Sequence, residues 1–345
     1  MPAGAGLIIA ILAGGMSALL IIVLYPMLKR YALAEPNARS SHRTPTPQGG
    51  GIAVVAATMA ATGVAIGLRP FGGSADMSLA AILLAALAMA GVGMTADRAL
   101  LRVAPRLLLQ AVIIAGLVYS LPDHLRVFAP LPWWLERLLV VLGGLWFVNL
   151  VNFMDGLDWM TVAEVIPMAA TVAALGLAHA APAAGAVVAL ALVGAVIGFA
   201  YFNRPVAKLF LGDVGSLPIG LFLGWLLLLV AAEGHLAAAI VMPLYYLADA
   251  SITVLRRLIR GEPVWEAHRT HFYQIATDRG FSVMEIVGRV FVVNVSLCAL
   301  AVVSIILPGE GSAVAALLCG AILVAWLLFA LAAGKKAAWF KRPRL

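Results

Sequence analysis

Apolar stretches of about 20 residues recur from one end of this 345-residue chain to the other, and no polar segment between them is long enough for a soluble domain. A stretch of that length crosses the hydrocarbon core of a bilayer as an α-helix. Composition agrees: 63% of the residues are hydrophobic and 11% charged, where soluble domains have about half and about a quarter. The runs lie near 5–28, 51–69, 78–95, 105–121, 136–151, 160–179, 183–202, 216–232, 236–254, 284–307 and 312–334. The expected fold is therefore all-α, a polytopic integral membrane protein with about eleven transmembrane helices forming one domain over residues 1–345. No basic segment precedes the first apolar run, so that run reads as a retained helix and not a signal peptide. The two cysteines, Cys298 and Cys319, lie within apolar runs and point to packing, with no disulfide or metal site.

The net charge of +7 would raise nucleic-acid binding in a soluble protein. In a membrane chain the basic residues first mark topology, and an odd number of spans divides the loops into two sets. Of the 23 Lys and Arg, 20 fall in one set and three, Arg69, Arg126 and Arg137, in the other. By the positive-inside rule the C-terminus is cytoplasmic and the N-terminus outside, and no nucleic-acid partner is expected. The cytoplasmic loops are then 29–50, 96–104, 152–159, 203–215 and 255–283. They carry every polar motif, whereas the outer loops are short and nondescript. One working face suits an enzyme better than a secondary transporter, which calls for polar groups halfway along several spans and a repeat between chain halves.

The first cytoplasmic loop contains His42-Arg-Thr-Pro-Thr-Pro-Gln-Gly-Gly-Gly51. Glycines before a helix can bring backbone N–H groups to an anion, although a plain loop entering the second span is the better reading of them. The second carries Asp97 beside Arg98. At the inner end of the fifth span stands Asn149-Leu-Val-Asn-Phe-Met-Asp-Gly-Leu-Asp158, two carboxamides and two carboxylates within ten residues. Asp155 and Asp158 share a face if that turn is helical, and such a group can hold Mg²⁺ or poise a base. The eighth span is preceded by Phe210-Leu-Gly-Asp-Val-Gly-Ser216, in which Asp213 suits a Mg²⁺–diphosphate site or, with Ser216, a helix cap. The last loop has Asp249, expected to pair with an arginine or orient a site group, then Arg256-Arg257 and His268-Arg-Thr-His-Phe-Tyr-Gln274. His268 and His271 would share one face of a helical turn. No third ligand stands at a zinc spacing, so phosphate contacts are the better role.

Taken in order, four of these segments resemble the polyprenyl-phosphate N-acetylhexosamine-1-phosphate transferases, the family that includes phospho-N-acetylmuramoyl-pentapeptide transferase. The segments are His42 to Gly50, Asn149 to Asp158, Phe210 to Ser216, and His268 to Gln274 with Asp249 and Arg256-Arg257. The His-Arg-Thr-His form is similar to the branch that starts O-antigen or other surface polysaccharides. The resemblance implies a Mg²⁺-dependent enzyme, with Mn²⁺ as a substitute, at the cytoplasmic face of a bacterial inner membrane. It would transfer a sugar-1-phosphate from a UDP-N-acetylhexosamine to undecaprenyl phosphate, releasing UMP, and a homodimer is compatible with it. By motif, Asp213 and Asp155 are expected at the metal. Asp97, Asp155, Asp158, His268 and His271 are expected in catalysis, and His42, Arg43, Asn149, Asn152, Lys208 and Arg269 at the substrates.

Two positions depart from the family. Ala96 stands where an aspartate usually precedes Asp97, which leaves room for a catalytically impaired homologue acting as a membrane scaffold. Trp159 stands where glycine is common, and its ring is expected to reshape the sugar or nucleotide pocket.

Overall fold

The computed structural model describes residues 3–34, 45–68, 73–98, 101–264, 268–307 and 309–335. The elements, in chain order, are α1 (Ala3–Tyr31), β1 (Leu33–Ala34), β2 (Thr46–Pro47), α2 (Gly50–Leu68), α3 (Gly73–Asp97), α4 (Val103–Ser120), α5 (Trp133–Met154) and α6 (Met160–Leu177). They continue with α7 (Ala183–Ala200), α8 (Asp213–Ala232), α9 (Leu236–Val241), α10 (Leu244–Ile259), α11 (Phe272–Asp278), α12 (Val283–Ile306) and α13 (Glu310–Ala333).

Ten of these helices are long and apolar enough to cross a membrane. The segment expected as one span at 236–254 is instead the broken pair α9 and α10. Pro243 sits at the break, where a residue without an N–H cannot continue the helical ladder.

Helix α8 is the axis of the bundle. Of its most apolar stretch 89% is buried, against 22% for α1 at the rim. It packs on α2, α3, α5, α6, α7 and α9. The closest approaches run through glycine. A Cβ on Gly51 of α2 would lie 2.1 Å from the Cα of Gly215, and one on Gly93 of α3 would lie 2.2 Å from the Asp213 carbonyl oxygen. Small residues let helix backbones meet in a membrane, where packing rather than a hydrophobic force joins them.

The short hairpin β1–β2 pairs Leu33 with Pro47 and Ala34 with Thr46. Beyond it, Phe210 N–H donates to the Pro47 carbonyl (2.8 Å), Gly50 N–H to that of Phe210 (2.9 Å) and Gly51 N–H to that of Leu211 (2.9 Å). These glycine N–H groups stitch the first loop to the 203–212 loop, so they are backbone partners and not anion donors.

Candidate active site

The first turn of α8 organises the site. Gly212 precedes it at φ +78°, and a Cβ there would lie 2.8 Å from Asp97 Oδ2. Its absence lets Asp97, the last residue of α3, accept from the N–H groups of Asp213 (2.8 Å) and Val214 (3.0 Å). Helix starts leave four N–H groups without partners, and a carboxylate from another helix here supplies two of them while facing the positive helix end. Neither Asp213 nor Ser216 is the cap. Asp213 is the first residue of α8, and Gly212 occupies the cap position with no side chain to contribute.

The Asp213 carboxylate accepts from Arg106 Nη1 (3.2 Å) and Asn152 Nδ2 (2.8 Å), and Asn152 Nδ2 also reaches Ser216 Oγ (2.8 Å). Farther along α4 and α5, Asn149 Nδ2 donates to Gln110 Oε1 (2.7 Å). Arg106 and Gln110 are one turn apart on α4, Asn152 and Asn149 on α5, and Asp213 and Ser216 on α8, so three helices present one polar seam. Continuing along the same helices, the seam becomes apolar. Ile114 and Leu117 of α4, Gly144 and Val148 of α5, and Gly220 and Gly224 of α8 border a cavity of about 230 Å³.

The two carboxylates after α5 do not share a helix face, because α5 ends at Met154 and residues 155–159 are not helical. Asp155 accepts from the Thr161 hydroxyl. Its carboxyl is pushed up to about 7, chiefly by burial, with the charges of Asp213, Asp97 and Asp158 adding to the shift and Thr161 opposing it. Asp158 is buried and accepts from the Ala207 N–H (3.0 Å). Asn203 accepts from Trp159 N–H (2.8 Å) and donates to the Leu209 carbonyl (3.0 Å). Asp158 and Asn203 together fasten the 155–159 turn to the 203–212 loop. Trp159 has φ +63°, a left-handed conformation that glycine adopts without strain. Its indole N–H donates to the Ala200 carbonyl (2.6 Å), anchoring the ring at the end of α7.

A second carboxylate works as Asp97 does. Asp249, fully buried in α10, accepts from the N–H groups of Phe272 (3.0 Å) and Tyr273 (3.3 Å) at the start of α11. It also meets His271 Nδ1 (3.3 Å), so its partner is an imidazole and not an arginine. Residues 268–270 are not helical, yet the rings of His268 and His271 stack with centroids 4.9 Å apart. The His271 ring lies 6.2 Å from that of Phe153, and Tyr273 Oη donates to the Phe153 carbonyl (2.8 Å), which docks this segment on the end of α5. Arg269 turns along α11 to Thr277 (2.8 Å) and Asp278 (3.2 Å). Lys208 is exposed on the 203–212 loop. His42 and Arg43 lie outside the described residues.

Gly156 makes the Tyr273 dock possible, since a Cβ there would lie 2.1 Å from Tyr273 Oη. Gly156→Ala is expected to break the Tyr273–Phe153 bond and destabilise the protein by about 1–3 kcal/mol. A thermal melt beside Tyr273→Phe checks this, and an unchanged midpoint in Gly156→Ala refutes the dock.

Among the described residues no group of three or more His, Cys, Asp and Glu is arranged to hold a metal. Mg²⁺ needs fewer, because it binds one or two carboxylates and completes its shell with water and phosphate. Asp213 and Asp155 supply that number of carboxylates. The raised Asp155 carboxyl, with three further aspartates acting on it, marks the local excess of negative charge that a divalent cation offsets.

Four site residues escaped the sequence reading: Arg106, treated there only as a topology marker, Gln110, Thr161 and Asn203. The first two were legible in principle. Arg106 and Gln110 stand at i, i+4 on one apolar helix, the spacing that aligns side chains on one face.

Residues 79–231, from α3 to the end of α8, match the model of glycosyl transferase family 4. The match includes Asp97, Arg106, Asn149 to Asp158 and Asp213, and excludes the His268–His271 segment. The chain is 25% identical over 305 residues to a probable undecaprenyl-phosphate N-acetylglucosaminyl 1-phosphate transferase of Bacillus subtilis, covering 81% of this chain and 82% of the relative. It is 29% identical over 310 residues to the phospho-N-acetylmuramoyl-pentapeptide-transferase of Gluconacetobacter diazotrophicus, covering 77% and 81%. A decaprenyl-phosphate N-acetylglucosaminephosphotransferase of Mycobacterium leprae is 31% identical over 216 residues, covering 56% of this chain and 52% of the relative. Its matched segment coincides with the polar seam and relatives align along most of its length, so this multi-pass membrane chain is similar to glycosyl transferase family 4 in the part that carries the site.

Proposed function

We propose that the protein transfers an N-acetylhexosamine-1-phosphate from a UDP-sugar to undecaprenyl phosphate and releases UMP, as the first step of a cell-surface polysaccharide. The observation that carries this is the seam of α4, α5 and α8, charged and polar at one end and apolar in the cavity beyond. That sequence of surfaces matches a phosphate head on a long isoprenoid tail. The relatives' names, undecaprenyl-phosphate and decaprenyl-phosphate transferases, support the same class of acceptor.

An oxygen of the lipid phosphate attacks the sugar-bearing phosphorus of the donor. The bond from that phosphorus to the bridging oxygen breaks, and UMP carries the electron pair away. The protein's task is in-line positioning and charge neutralisation. Arg106 holds Asp213 in register and supplies a cation beside the phosphates. Asn152 fixes the other Asp213 oxygen. His271, buried and held by Asp249, stacks on the less buried His268 and fixes that ring beside the site. Mg²⁺ held by Asp213 and Asp155 would supply positive charge to the diphosphate oxygens. The basic-residue asymmetry supports a cytoplasmic position for this face, where UDP-sugars are made.

The test is purified protein with undecaprenyl phosphate and UDP-GlcNAc or related UDP-sugars, with Mg²⁺ or with EDTA. UMP is expected only when donor, acceptor and Mg²⁺ are all present. No UMP with any donor refutes the transferase, and full activity in EDTA refutes the metal.

A further inference from the structure

Glu164 and Asn294 lie outside the polar seam and have no part in the transfer described above. Glu164 is in α6 and Asn294 in α12, both 1% exposed. Asn294 Nδ2 donates to Glu164 Oε2 (2.6 Å) and to the Ala163 carbonyl (3.0 Å). The second bond has a covalent origin. Pro167 stands four residues after Ala163 inside α6, and a proline cannot donate to the carbonyl one turn back. Ala163 is thus an orphaned carbonyl inside a membrane helix, where an unpaired group costs several kcal/mol, and a side chain from α12 satisfies it. The carbonyl can only accept, so the amide must point its nitrogen toward Ala163, which settles an orientation otherwise ambiguous for an asparagine.

Two buried atoms remain without partners, Glu164 Oε1 and Asn294 Oδ1. Both are acceptors if Glu164 is ionised. One proton on Glu164 would turn Oε1 into a donor, the kind of group that Asn294 Oδ1 lacks. No cation among the described residues pairs with Glu164. The titratable neighbours in electrostatic reach of it, Tyr246 of α10 and Cys298 of α12, are groups that are neutral in their protonated form. A bare carboxylate buried there would lack any compensating charge.

We propose that Glu164 is a neutral carboxylic acid closed on Asn294 by two hydrogen bonds, one in each direction, and that this ring, anchored on the Pro167-orphaned carbonyl, clamps α6 to α12. Helix α6 begins directly after the Asp155–Trp159 turn, and α12 follows α11, which carries Tyr273 and is capped by His271. Glu164 and Asn294 are therefore positioning residues that join the supports of the two halves of the site, a role that rests on the transferase assignment, whereas the clamp itself does not.

Infrared difference spectra of the full chain in nanodiscs, wild type against Glu164→Gln, test the protonation. A protonated-carboxyl C=O band at neutral pH should be present in wild type and lost in Glu164→Gln. Glutamine is the neutral isostere and restores both bonds, so its melting midpoint should match wild type while those of Glu164→Ala and Asn294→Ala fall. UMP release should fall in Glu164→Ala and be rescued in Glu164→Gln. An unchanged carboxyl band, or a Glu164→Gln protein that melts as low as Glu164→Ala or does not fold, overturns the clamp. If wild type itself releases no UMP, the transferase assignment fails, while the infrared and melting results still decide the clamp.

Discussion

Asp213→Ala should reduce UMP release by at least about a hundredfold, the scale set by removing one preorganised electrostatic group from a transition state, while leaving the fold intact. The two effects separate because Asp213 carries charge at the site without capping its own helix. The start of α8 is held by Asp97 through the backbone N–H groups of residues 213 and 214, and those bonds survive loss of the side chain. What disappears is the acceptor for Arg106 and Asn152 and one of the two carboxylates proposed for Mg²⁺. Initial rates of UMP formation beside a thermal melt check the separation. A variant that keeps the full rate refutes the role of Asp213, and one that loses its melting transition shows that the residue is structural.

Gly93→Ala should do the opposite and remove fold and activity together. Its Cβ would lie 2.2 Å from the Asp213 carbonyl oxygen and 2.6 Å from the Val214 nitrogen, both backbone atoms that no rotamer change can move. The helices α3 and α8 must part, and overpacking of this kind costs about 1–3 kcal/mol, occasionally more. Asp97 is four residues along α3 from Gly93, so the same displacement draws its carboxylate off the N–H groups that it caps. Gly91→Ala is the control. It lies on the same helix with nothing within 4 Å of its Cβ position, and it should melt as wild type does. Equal midpoints for the two variants would show that the α3–α8 contact is not tight.

Much of this molecule was legible before its structure. The spans follow from apolar run length because a bilayer leaves a backbone few alternatives to the helix, and the one span that differed, 236–254, contains the Pro243 that breaks it. The Asn149–Asp158 and Leu211–Ser216 strings stood out because polar groups are costly at membrane depth. Their arrangement was not legible. The i, i+3 spacing of Asp155 and Asp158 implied a shared face, yet α5 stops at Met154 and Asp158 turns away to the 203–212 loop. The spacing of His268 and His271 implied a helix, and the rings stack from a turn held by Asp249 instead.

By itself the sequence determined that this chain is a helical membrane protein and which polar segments are the candidates for its chemistry, because hydrophobic length and the cost of burying charge act on each segment independently of the others. Only the tertiary structure decided which partner each polar group takes. Asp97 meets the start of α8 across 116 positions of sequence and Asp249 meets α11 across 23. The first of these pairings depends on how closely Gly51, Gly93 and Gly212 let backbones approach, a matter of shape between distant segments that no local pattern encodes.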